Sequence, residues 1–260
     1  MKITRLKNIF FSPRGTTASV SRAIADRFDE PCLTTDLIRS PIMEELDIPA
    51  DTLTIVSVPV YYGRVPEVAA ESLRKLKGNH TAVIAVVVYG NRAYEDALLE
   101  LSDLLKERGF VVISAGAFVG RHSIFPMVAA DRPDVQDELF IQSFAERSKN
   151  VLAGLDEASE IHIRIPGKRP YRPGGKVPFA PTAGKDCDDC GICVDICPTR
   201  AITLRDTSAT DKTKCIACGA CIHSCPQQAR HYTGFAYRMA ARKFRKKYSA
   251  RKEPEVFYGE

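Results

Sequence analysis

Two cysteine runs with one shared spacing constrain this chain more than any other feature of its sequence. The runs are CDDCGICVDICP at residues 187–198 and CIACGACIHSCP at residues 215–226. Both follow the spacing C-x2-C-x2-C-x3-C-P, and each cysteine of the second run lies 28 positions after its counterpart in the first. Thiols grouped in this way form disulfides, bind zinc or bind iron–sulfur clusters.

The rest of the sequence argues against disulfides. The longest apolar run, residues 82–89, is too short to cross a bilayer, and the N-terminal sequence MKITRLKNIFF lacks the long apolar stretch and small-residue cleavage site of a secretory signal. We therefore expect a cytoplasmic protein with no membrane span. Because the cytoplasm keeps thiols reduced, disulfides are a poor explanation for these clustered cysteines.

The third cysteine of each run, and the proline after the fourth, distinguish iron–sulfur ligation from zinc ligation. A structural zinc site usually places two CxxC pairs around one metal and needs neither feature. The spacing is instead the one found in bacterial ferredoxins with two [4Fe–4S] clusters, in which the fourth cysteine of each run ligates the other cluster. The first three thiolates of a run lie on one tight loop and reach three corners of a cubane cluster. The fourth cysteine lies too far along the chain to ligate the same cluster.

We therefore predict two [4Fe–4S] clusters with crossed ligands. The first set of ligands is Cys187, Cys190, Cys193 and Cys225. The second set is Cys215, Cys218, Cys221 and Cys197. Gly191 and Gly219 fall inside the loops, where backbone N–H groups can face the sulfurs. The remaining cysteine, Cys32, is alone on a predicted strand and is expected to be buried as a small apolar side chain.

The first 163 residues alternate apolar strands with amphipathic helices. The predicted strands cover residues 8–12, 32–36, 53–60, 82–89 and 111–118, and the predicted helices cover residues 17–28, 67–76, 94–108 and 134–155. Strands that are apolar on both faces and separated by helices indicate a parallel sheet covered on both sides. We therefore predict an α/β fold with a doubly wound, five-stranded parallel sheet.

Three loops are expected at the edge of this sheet where ligands bind, beyond the carboxyl ends of the strands. The hydroxyls and N–H groups of SPRGTT, residues 12–17, can hold a phosphate at a helix N-terminus, although the same residues also serve as ordinary helix caps. The loops PVYYGRVP (59–66) and YGNRAY (89–94) carry aromatic rings, glycines and amides that suit a planar ring. The alternative is that their tyrosines only pack the loops together.

The first of these loops resembles the phosphate loop of flavodoxins: Ser12, Gly15 and Thr17 match the family pattern, and Arg14 replaces a residue that usually carries a hydroxyl. The resemblance implies bound FMN, whose single terminal phosphate suits one helix N-terminus, and no second mononucleotide unit is predicted for the adenosine of FAD. The implied cofactor-binding residues are Ser12, Arg14, Gly15, Thr16, Thr17, Pro59, Val60, Tyr61, Tyr62, Gly63, Tyr89, Gly90, Asn91, Arg92 and Tyr94.

Charge and composition divide the chain into regions. From residue 164 onward there are 19 Lys or Arg against 9 Asp or Glu, whereas the preceding residues hold 18 against 23. The predicted regions are a flavodoxin-like FMN-binding domain at 1–163, a Pro/Gly-rich basic linker at 164–183, a small α+β two-cluster ferredoxin domain at 184–234 and a basic C-terminal helix and tail at 235–260.

The C-terminal region has Tyr237, Ala241, Phe244 and Tyr248 at helical spacing. A docked helix with a solvated basic face explains this pattern better than a nucleic-acid-binding tail, so no nucleic-acid partner is expected. Docking of this apolar stripe across both domains would bring one cluster close to the flavin.

Over nearly its whole length the chain resembles the flavodoxin–ferredoxin fusion proteins of anaerobic bacteria, on the loops and cysteine runs above, the segment HSIFP and the ending RKEPEVFY. The resemblance implies an electron-transfer iron–sulfur flavoprotein that passes electrons between FMN and the clusters, with a redox protein or a small molecule as electron donor or acceptor. An alternative, favoured by Arg14, is a plain two-cluster ferredoxin whose flavodoxin-like domain binds no flavin and only docks a partner. A zinc-stabilised binding module is a third hypothesis and conflicts with the cysteine spacing.

The sequence does not decide whether the chain is an oxidoreductase enzyme. No G-x-G-x-x-G dinucleotide fingerprint occurs. A nicotinamide would therefore have to dock on an exposed face of the flavin.

Overall fold

A mostly parallel six-stranded sheet forms the body of the chain in the computed structural model, which describes residues 2–155 and 161–260. The strands of this sheet and of two small accessory sheets are β1 (Arg5–Phe10), β2 (Cys32–Asp36), β3 (Leu46–Ile48), β4 (Thr52–Pro59), β5 (Leu76–Gly78), β6 (Thr81–Tyr89), β7 (Phe110–Val119), β8 (Thr182–Ala183), β9 (Arg230–His231) and β10 (Glu255–Tyr258). The helices are α1 (Thr16–Ala25), α2 (Glu67–Leu73), α3 (Ala97–Glu107), α4 (Val135–Ala153), α5 (Ile192–Asp195), α6 (Ala220–His223) and α7 (Phe235–Tyr248).

The strand order of the large sheet is β10-β7-β6-β4-β1-β2, and all neighbours are parallel except β10, which runs antiparallel to β7. The five parallel strands, in chain order, are β1, β2, β4, β6 and β7. Numbered one to five in that order, they lie side by side as 2-1-3-4-5. That is the flavodoxin-like doubly wound order. The predicted α/β fold with five parallel strands is therefore confirmed.

β10 is an additional strand that the sequence did not predict. Its residues pair with the open edge of β7, from Glu255 opposite Ala117 to Tyr258 opposite Ser114. A segment this short carries little periodic signal, and its pairing depends on an edge that only the folded sheet provides. The C-terminal segment thereby becomes part of the flavodoxin-like sheet.

Helices cover both faces of the sheet, which explains why its inner strands are apolar throughout. α1 and α4 pack on one face, and α2 and α3 pack on the other. Every residue of β6 is buried, because this strand lies inside the sheet between two helical layers. The hydroxyl of Ser21 in α1 lies 2.5 Å from Asn8 Oδ1 and 2.7 Å from Ser57 Oγ, so a buried polar contact ties α1 to β1 and β4.

Two sequence-based predictions about this region are wrong. Cys32 is exposed rather than buried, because β2 is the outer strand of the sheet and its first three residues lie in solvent. The helix predicted to continue to residue 76 ends at Leu73, because Leu76 begins β5, which pairs with β3 in a small parallel sheet.

The cysteine region is built from short elements that repeat. α5 and α6 each follow a glycine, Gly191 with φ of 80° and Gly219 with φ of 75°. Glycine adopts this left-handed backbone without steric cost, and these two glycines are 28 positions apart, so the sequence repeat is also a structural repeat. β8 and β9 form a small antiparallel pair beside it. The predicted small α+β region is confirmed.

The segment between the two regions is attached to α3. Asp96, which precedes α3, accepts hydrogen bonds from the backbone N–H groups of Lys168 (3.0 Å) and Arg172 (2.8 Å). Asp103 accepts from the side chain of Arg169. The boundaries between the four predicted regions stay predictions. In residues 2–155 and 161–260, no helix has the length and apolarity to cross a membrane.

Candidate functional site

The loops that follow β1, β4, β6 and β7 meet at the carboxyl edge of the sheet, where the strand order reverses between β1 and β4. A cavity of about 300 Å³ lies between these loops and the cysteine region. We call it the larger cavity, to distinguish it from a smaller one at the N-terminus of α1. The predicted residues that line it are Val60, Tyr61, Tyr62, Gly63, Tyr89, Gly90 and Arg92. The rest of its lining includes residues 122–125, 176–179 and 216–217, and Phe244 of α7.

A smaller cavity of about 50 Å³ lies at the N-terminus of α1. The predicted residues Arg14, Thr16, Thr17 and Pro59 line it, as does Arg121 from the loop after β7. The first N–H groups of a helix have no acceptor within the helix and attract anions. The smaller cavity is therefore a candidate phosphate site beside the larger one.

Two arginines make the smaller cavity positive. Burial lowers the pKa of Arg14, and the neighbouring charge of Arg121 lowers it further. Their guanidinium groups donate to backbone carbonyl oxygens, Arg14 to Ser123 and Arg121 to Pro126, both at 3.0 Å. An anion between them would reduce their repulsion and accept charge-assisted hydrogen bonds. The residues present at this end of α1 therefore fit a phosphate group.

Ser12 and Gly15 shape this end of α1 without lining either cavity. The Oγ of Ser12 accepts a hydrogen bond from the N–H of Ala18 in the first turn of α1 at 2.9 Å, and the N-cap position itself is held by Gly15. Gly15 has φ of 84° immediately before α1. A Cβ at Gly15 would lie 3.5 Å from Nε2 of His223, so α6 of the cysteine region packs over this loop.

Asn91 and Tyr94, two other predicted cofactor-binding residues, contact the C-terminal segment instead of either cavity. The Nδ2 of Asn91 donates to the carbonyl oxygens of Tyr248 (2.7 Å) and Ala250 (2.8 Å). The hydroxyl of Tyr94 donates to the carboxylate of Glu255 at 2.7 Å. These residues hold the end of α7 and β10 against the sheet.

Sequence analysis did not identify every wall of the larger cavity. Residues 122–125 follow β7 at the same edge of the sheet, so the argument applied to the other three loops could have found them. Residues 176–179, residues 216–217 and Phe244 reach the cavity through packing between distant parts of the chain. Phe244 belongs to the aromatic stripe that was predicted to dock, whereas no local sequence signal marks residues 176–179 or 216–217 as part of a cavity.

The larger cavity fits a planar heteroaromatic ring. Tyr61, Tyr62 and Phe125 supply aromatic walls, and the volume of about 300 Å³ is at the lower end of the range for small-molecule sites. The backbone approaches closely at Gly90, where a Cβ would lie 2.7 Å from the ring of His122. The buried hydroxyl of Tyr62 has no hydrogen-bond partner among the described residues, so a polar ring edge would satisfy it.

His122 is an uncharged anchor in the loop after β7. Burial, followed by the nearby charges of Arg92 and Arg14, lowers the pKa of His122 to about 4. Its Nδ1 accepts hydrogen bonds from the N–H groups of Ile124 and Phe125, both at 3.1 Å. The imidazole is therefore neutral at neutral pH and holds this loop in its observed shape.

A chain of aromatic rings joins the loop after β7 to α7 and to the second cysteine run. Phe125 stacks on Tyr237 with centroids 5.7 Å apart, and Tyr237 stacks on Tyr232 at 5.3 Å. The hydroxyl of Tyr232 donates to the carbonyl oxygen of Ala217 at 3.1 Å. Farther along α7, the ring of Phe244 lies 4.6 Å from that of His122. The predicted docking of the aromatic stripe of α7 is confirmed.

The second set of cysteines lies beside the larger cavity. The two residues between Cys215 and Cys218 line that cavity. Burial raises the pKa of Cys218 to about 12, and the thiols of Cys221, Cys197 and Cys215 each contribute to the increase. Cys197 therefore interacts electrostatically with cysteines of the other run, and the crossed ligand sets stay a prediction.

The contacts between thiols of the first set are within its own run. Burial raises the pKa of Cys193, and the nearby thiol of Cys187 raises it further. The thiols of Cys197 and Cys225, at equivalent positions of the repeat, accept N–H hydrogen bonds from Ala201 (3.2 Å) and Ala229 (3.3 Å). In residues 2–155 and 161–260, no three or more His, Cys, Asp or Glu side chains converge closely enough to hold a metal ion. A cubane cluster instead distributes its four thiolates over four iron atoms.

Comparison with known proteins identifies one part of the chain. Residues 186–229 match the 4Fe–4S dicluster domain family. None of the curated proteins compared with the chain matches it. The chain thus carries a 4Fe–4S dicluster domain after a sheet with the flavodoxin-like strand order.

Several solved structures are similar to the chain at low identity. A flavodoxin from the domain Archaea is 12% identical over 57% of this chain and 99% of its own, with a TM-score of 0.42. A Streptococcus pneumoniae TIGR4 flavodoxin is 17% identical over 56% of this chain and 97% of its own, with a TM-score of 0.41. The apo form of an NADH:FMN oxidoreductase is 15% identical over 60% of this chain and 92% of its own, also with a TM-score of 0.41.

Proposed function

We propose that this protein is an electron-transfer iron–sulfur flavoprotein, which passes electrons between two [4Fe–4S] clusters and FMN bound in the two adjoining cavities. One observation carries the proposal: the residues between Cys215 and Cys218 line the larger cavity. The second set of cysteines and a ring in that cavity would therefore be neighbours. Electron transfer requires such proximity, because electronic coupling falls steeply with distance.

The chain offers FMN a separate site for each of its two parts. The N-terminus of α1, with Arg14, Thr16 and Thr17, would hold the phosphate. Tyr61 and Tyr62 would contact the ring. When bound, FMN accepts electrons singly or in pairs, whereas each cluster carries one at a time. The contribution of the chain is to hold the ring against the second set of cysteines.

The two sets of cysteines differ in exposure, and the difference supports an order of transfer. Cys190 of the first set is exposed, whereas Cys218 of the second set is buried. In that order, the exposed first set would hold the cluster that accepts electrons from a redox protein or a small-molecule donor, and the second set would hold the cluster between it and FMN. A partner needs access to the first cluster only.

Direct reduction of FMN by a nicotinamide is the less favoured route. Ile216, Ala217 and Phe244 line the larger cavity together with the sheet loops. A nicotinamide would have to displace these residues to stack on the ring. Transfer through the clusters needs no such rearrangement.

The second candidate function is that of a two-cluster ferredoxin whose flavodoxin-like domain binds no flavin. Arg14 favours it, because the guanidinium that donates to Ser123 also packs against the cysteine region: a Cβ at Gly219 would lie 3.2 Å from its Nη1. In this function Arg14 joins the two regions and the sheet serves as a docking module.

Protein purified without oxygen distinguishes the two candidates. For the proposed function we expect flavin absorption peaks above a broad iron–sulfur band, about eight iron atoms per chain, and release of FMN on denaturation. The iron–sulfur band alone, with no flavin after anaerobic reconstitution, would establish the second candidate. Release of FAD would contradict the assignment of the smaller cavity to a terminal phosphate.

Single cysteine substitutions test the crossed ligand sets. Cys225→Ala should remove the first cluster and leave the second, with iron falling from about eight to about four atoms per chain. Cys197→Ala is the matched variant and should remove the second cluster. EPR spectra of the reduced variants identify the cluster that survives. If each substitution damaged the cluster of its own run, the crossed assignment would be wrong.

A stopped-flow series tests the relay itself. After the clusters are reduced by a one-electron donor, the flavin should be reduced within the same chain, at a rate that does not depend on protein concentration. A rate proportional to concentration would show that electrons cross between molecules, and the internal relay would have to be abandoned.

A further inference from the structure

Arg230 is a buried arginine at the centre of the cysteine region, with 2% of its surface exposed. The equivalent position of the first repeat, 28 residues earlier, holds Ile202, which is also buried. The repeat therefore places an aliphatic side chain in one copy and a guanidinium in the other. The spacing of the cysteine ligands does not account for this difference.

Hydrogen bonds hold the guanidinium of Arg230 in one place. It donates to the carbonyl oxygens of Pro181 (3.0 Å) and Thr207 and to the hydroxyl of Thr210. Its Nη1 also lies 3.7 Å from Sγ of Cys193. Its Nε is buried and has no hydrogen-bond partner within the described part of the chain.

The charge of Arg230 requires an anion nearby. An arginine keeps its charge in a protein, and an uncompensated buried charge is strongly destabilising. The oxygen acceptors of Arg230 are neutral groups, so they satisfy its N–H bonds without offsetting its charge. The exposed carboxylate of Asp206 interacts with this charge from the surface, and thiolate-ligated clusters would supply negative charge in the interior.

The guanidinium reaches thiols of both ligand sets. Its Nη1 lies 3.7 Å from Sγ of Cys193 in the first set, and β9, which carries Arg230, packs against α6, which carries Cys221 of the second set. Cys193 and Cys221 are the third cysteines of the two runs, and they share one buried cluster with Ile202. Arg230 therefore stands beside a ligand of each proposed cluster.

We propose that Arg230 is a positioning charge shared by the two clusters, which raises the reduction potential of both by stabilising the electron that each accepts. Reduction of a [4Fe–4S] cluster adds one electron and one negative charge, with no bond made or broken. A fixed positive charge in a low-dielectric interior favours the added charge, and hydrogen bonds to ligand sulfurs act in the same direction. Because one charge serves both clusters, it shifts both potentials in the same direction and leaves the step between them nearly unchanged.

The test compares substitutions at Arg230 in the full chain with both clusters loaded. Arg230→Gln removes the charge but keeps a hydrogen-bond donor, Arg230→Ile copies the first repeat, and Arg230→Lys keeps the charge. Arg205→Gln is the control, because Arg205 is an exposed arginine of the same region. Midpoint potentials are measured by anaerobic redox titration, with the EPR signal of the reduced clusters as the readout.

For Arg230→Gln and Arg230→Ile, we expect the equilibrium constant for reduction of each cluster to fall at least about tenfold, which is 59 mV for a one-electron couple. Arg230→Lys and Arg205→Gln should stay within about threefold of the unsubstituted protein, because the first keeps the charge and the second removes one that water and salt already screen.

Several results would overturn the proposal. One is an unchanged potential in a fully loaded Gln or Ile variant, and another is a shift in only one of the two clusters. An equal shift in the Lys and Gln variants would assign the effect to the hydrogen-bond geometry instead of the charge. If only the Lys variant held both clusters, Arg230 would serve assembly and not tuning.

This inference rests on the ligand sets of the proposed function, and the two can fail separately. Unsubstituted protein that holds far fewer than about eight iron atoms per chain would refute the ligand sets. Full iron content with an unchanged potential in the Gln variant would refute only the role of Arg230.

Discussion

The two cysteine runs share one spacing and lie in opposite environments. Cys190 of the first run is exposed, whereas its counterpart in the second run, Cys218, is buried. A Cβ at Gly191 would meet the side chain of Leu204, which is itself 74% exposed. The equivalent Gly219 packs against the loops of the flavodoxin-like sheet. The first run faces solvent, and the second faces the rest of the protein.

The residues between the ligands account for this difference. The first run carries Asp188 and Asp189 where the second carries Ile216 and Ala217. Carboxylates are costly to bury, whereas apolar side chains gain free energy when they leave water. The spacing of the cysteines therefore indicates the cluster chemistry, and the residues between them determine which run faces solvent and which faces the larger cavity.

Introducing a charge into the second run should produce the largest effect. Ala217 is buried with φ of 54°, and the equivalent Asp189 is exposed with φ of 56°, a backbone conformation that Asp tolerates. Ala217→Asp buries an unpaired carboxylate, and we expect it to lower the free energy of unfolding by about 3 to 5 kcal/mol. Urea unfolding without oxygen measures this change.

Asp189→Ala is the reciprocal control in the first run. It removes a hydrogen bond from the hydroxyl of Thr207, and we expect it to lower the free energy of unfolding by only about 1 kcal/mol. Equal losses in the two variants would mean that the runs do not differ in environment in solution.

Acid should weaken the packing of α7 on the loop after β7, because His122 of that loop contacts Phe244 of α7. Burial, followed by Arg92 and Arg14, lowers the pKa of His122 from 6.5 to about 4. Between pH 6.5 and about pH 4, His122 is therefore protonated in the unfolded chain and neutral in the folded chain. The contribution of His122 to the free energy of unfolding should be constant above pH 6.5 and decrease by up to about 3 kcal/mol as the pH falls toward 4.

Unfolding measured at several pH values between about 7 and about 4.5 checks this dependence. His122→Gln should remove most of the slope, because it has no group to protonate. His80→Gln, at an exposed histidine, should leave the slope as it is. A slope that persists in His122→Gln would assign the acid sensitivity to other groups.

Arg14→Ala should weaken FMN binding, because Arg14 lines the smaller cavity where the phosphate would bind. A hydrogen bond from a charged donor contributes about 1.5 to 3 kcal/mol, so the dissociation constant should rise roughly tenfold to a hundredfold. Fluorescence titration of flavin-depleted protein with FMN measures the change. Arg39→Ala, at an exposed arginine, is the control and should leave the affinity unchanged.

Oxygen should destroy the first cluster before the second, because susceptibility to oxidation follows exposure. Cys225→Ala is expected to retain only the second cluster, and Cys197→Ala only the first. When both variants are exposed to air, iron should be released several times faster from Cys197→Ala. Release from Cys225→Ala at the same or a higher rate would show that burial of the second run does not protect its cluster.

Local sequence patterns predicted the parts of the fold that depend on neighbouring residues. The apolar strands and the helices between them predicted five parallel strands, because burial on both faces leaves a continuous apolar run in each strand. β10 could not be predicted in this way, since it exists only where the edge of β7 is available. Cys32 was placed in the core because its strand was recognised but the position of that strand at the sheet edge was not.

The residues of the candidate site also divide into those that local sequence patterns placed correctly and those that distant contacts placed. The loops after β4 and β6 were predicted correctly to meet at the edge of the sheet, and several of their residues line the larger cavity. Asn91 and Tyr94 belong to the loop after β6, but they form hydrogen bonds with residues more than 150 positions away, in the C-terminal segment. No local pattern reveals contacts over that separation.

By itself, the sequence determined the dicluster spacing and the alternation of strands and helices, because both depend on residues within one loop or one turn of each other. The tertiary structure decided that the residues between Cys215 and Cys218 line the larger cavity, which rings α7 contacts in the loop after β7, and that Arg230 lies 3.7 Å from the thiol of Cys193. Each of these results comes from packing between segments far apart in the chain. Only the folded whole specifies which buried surfaces meet.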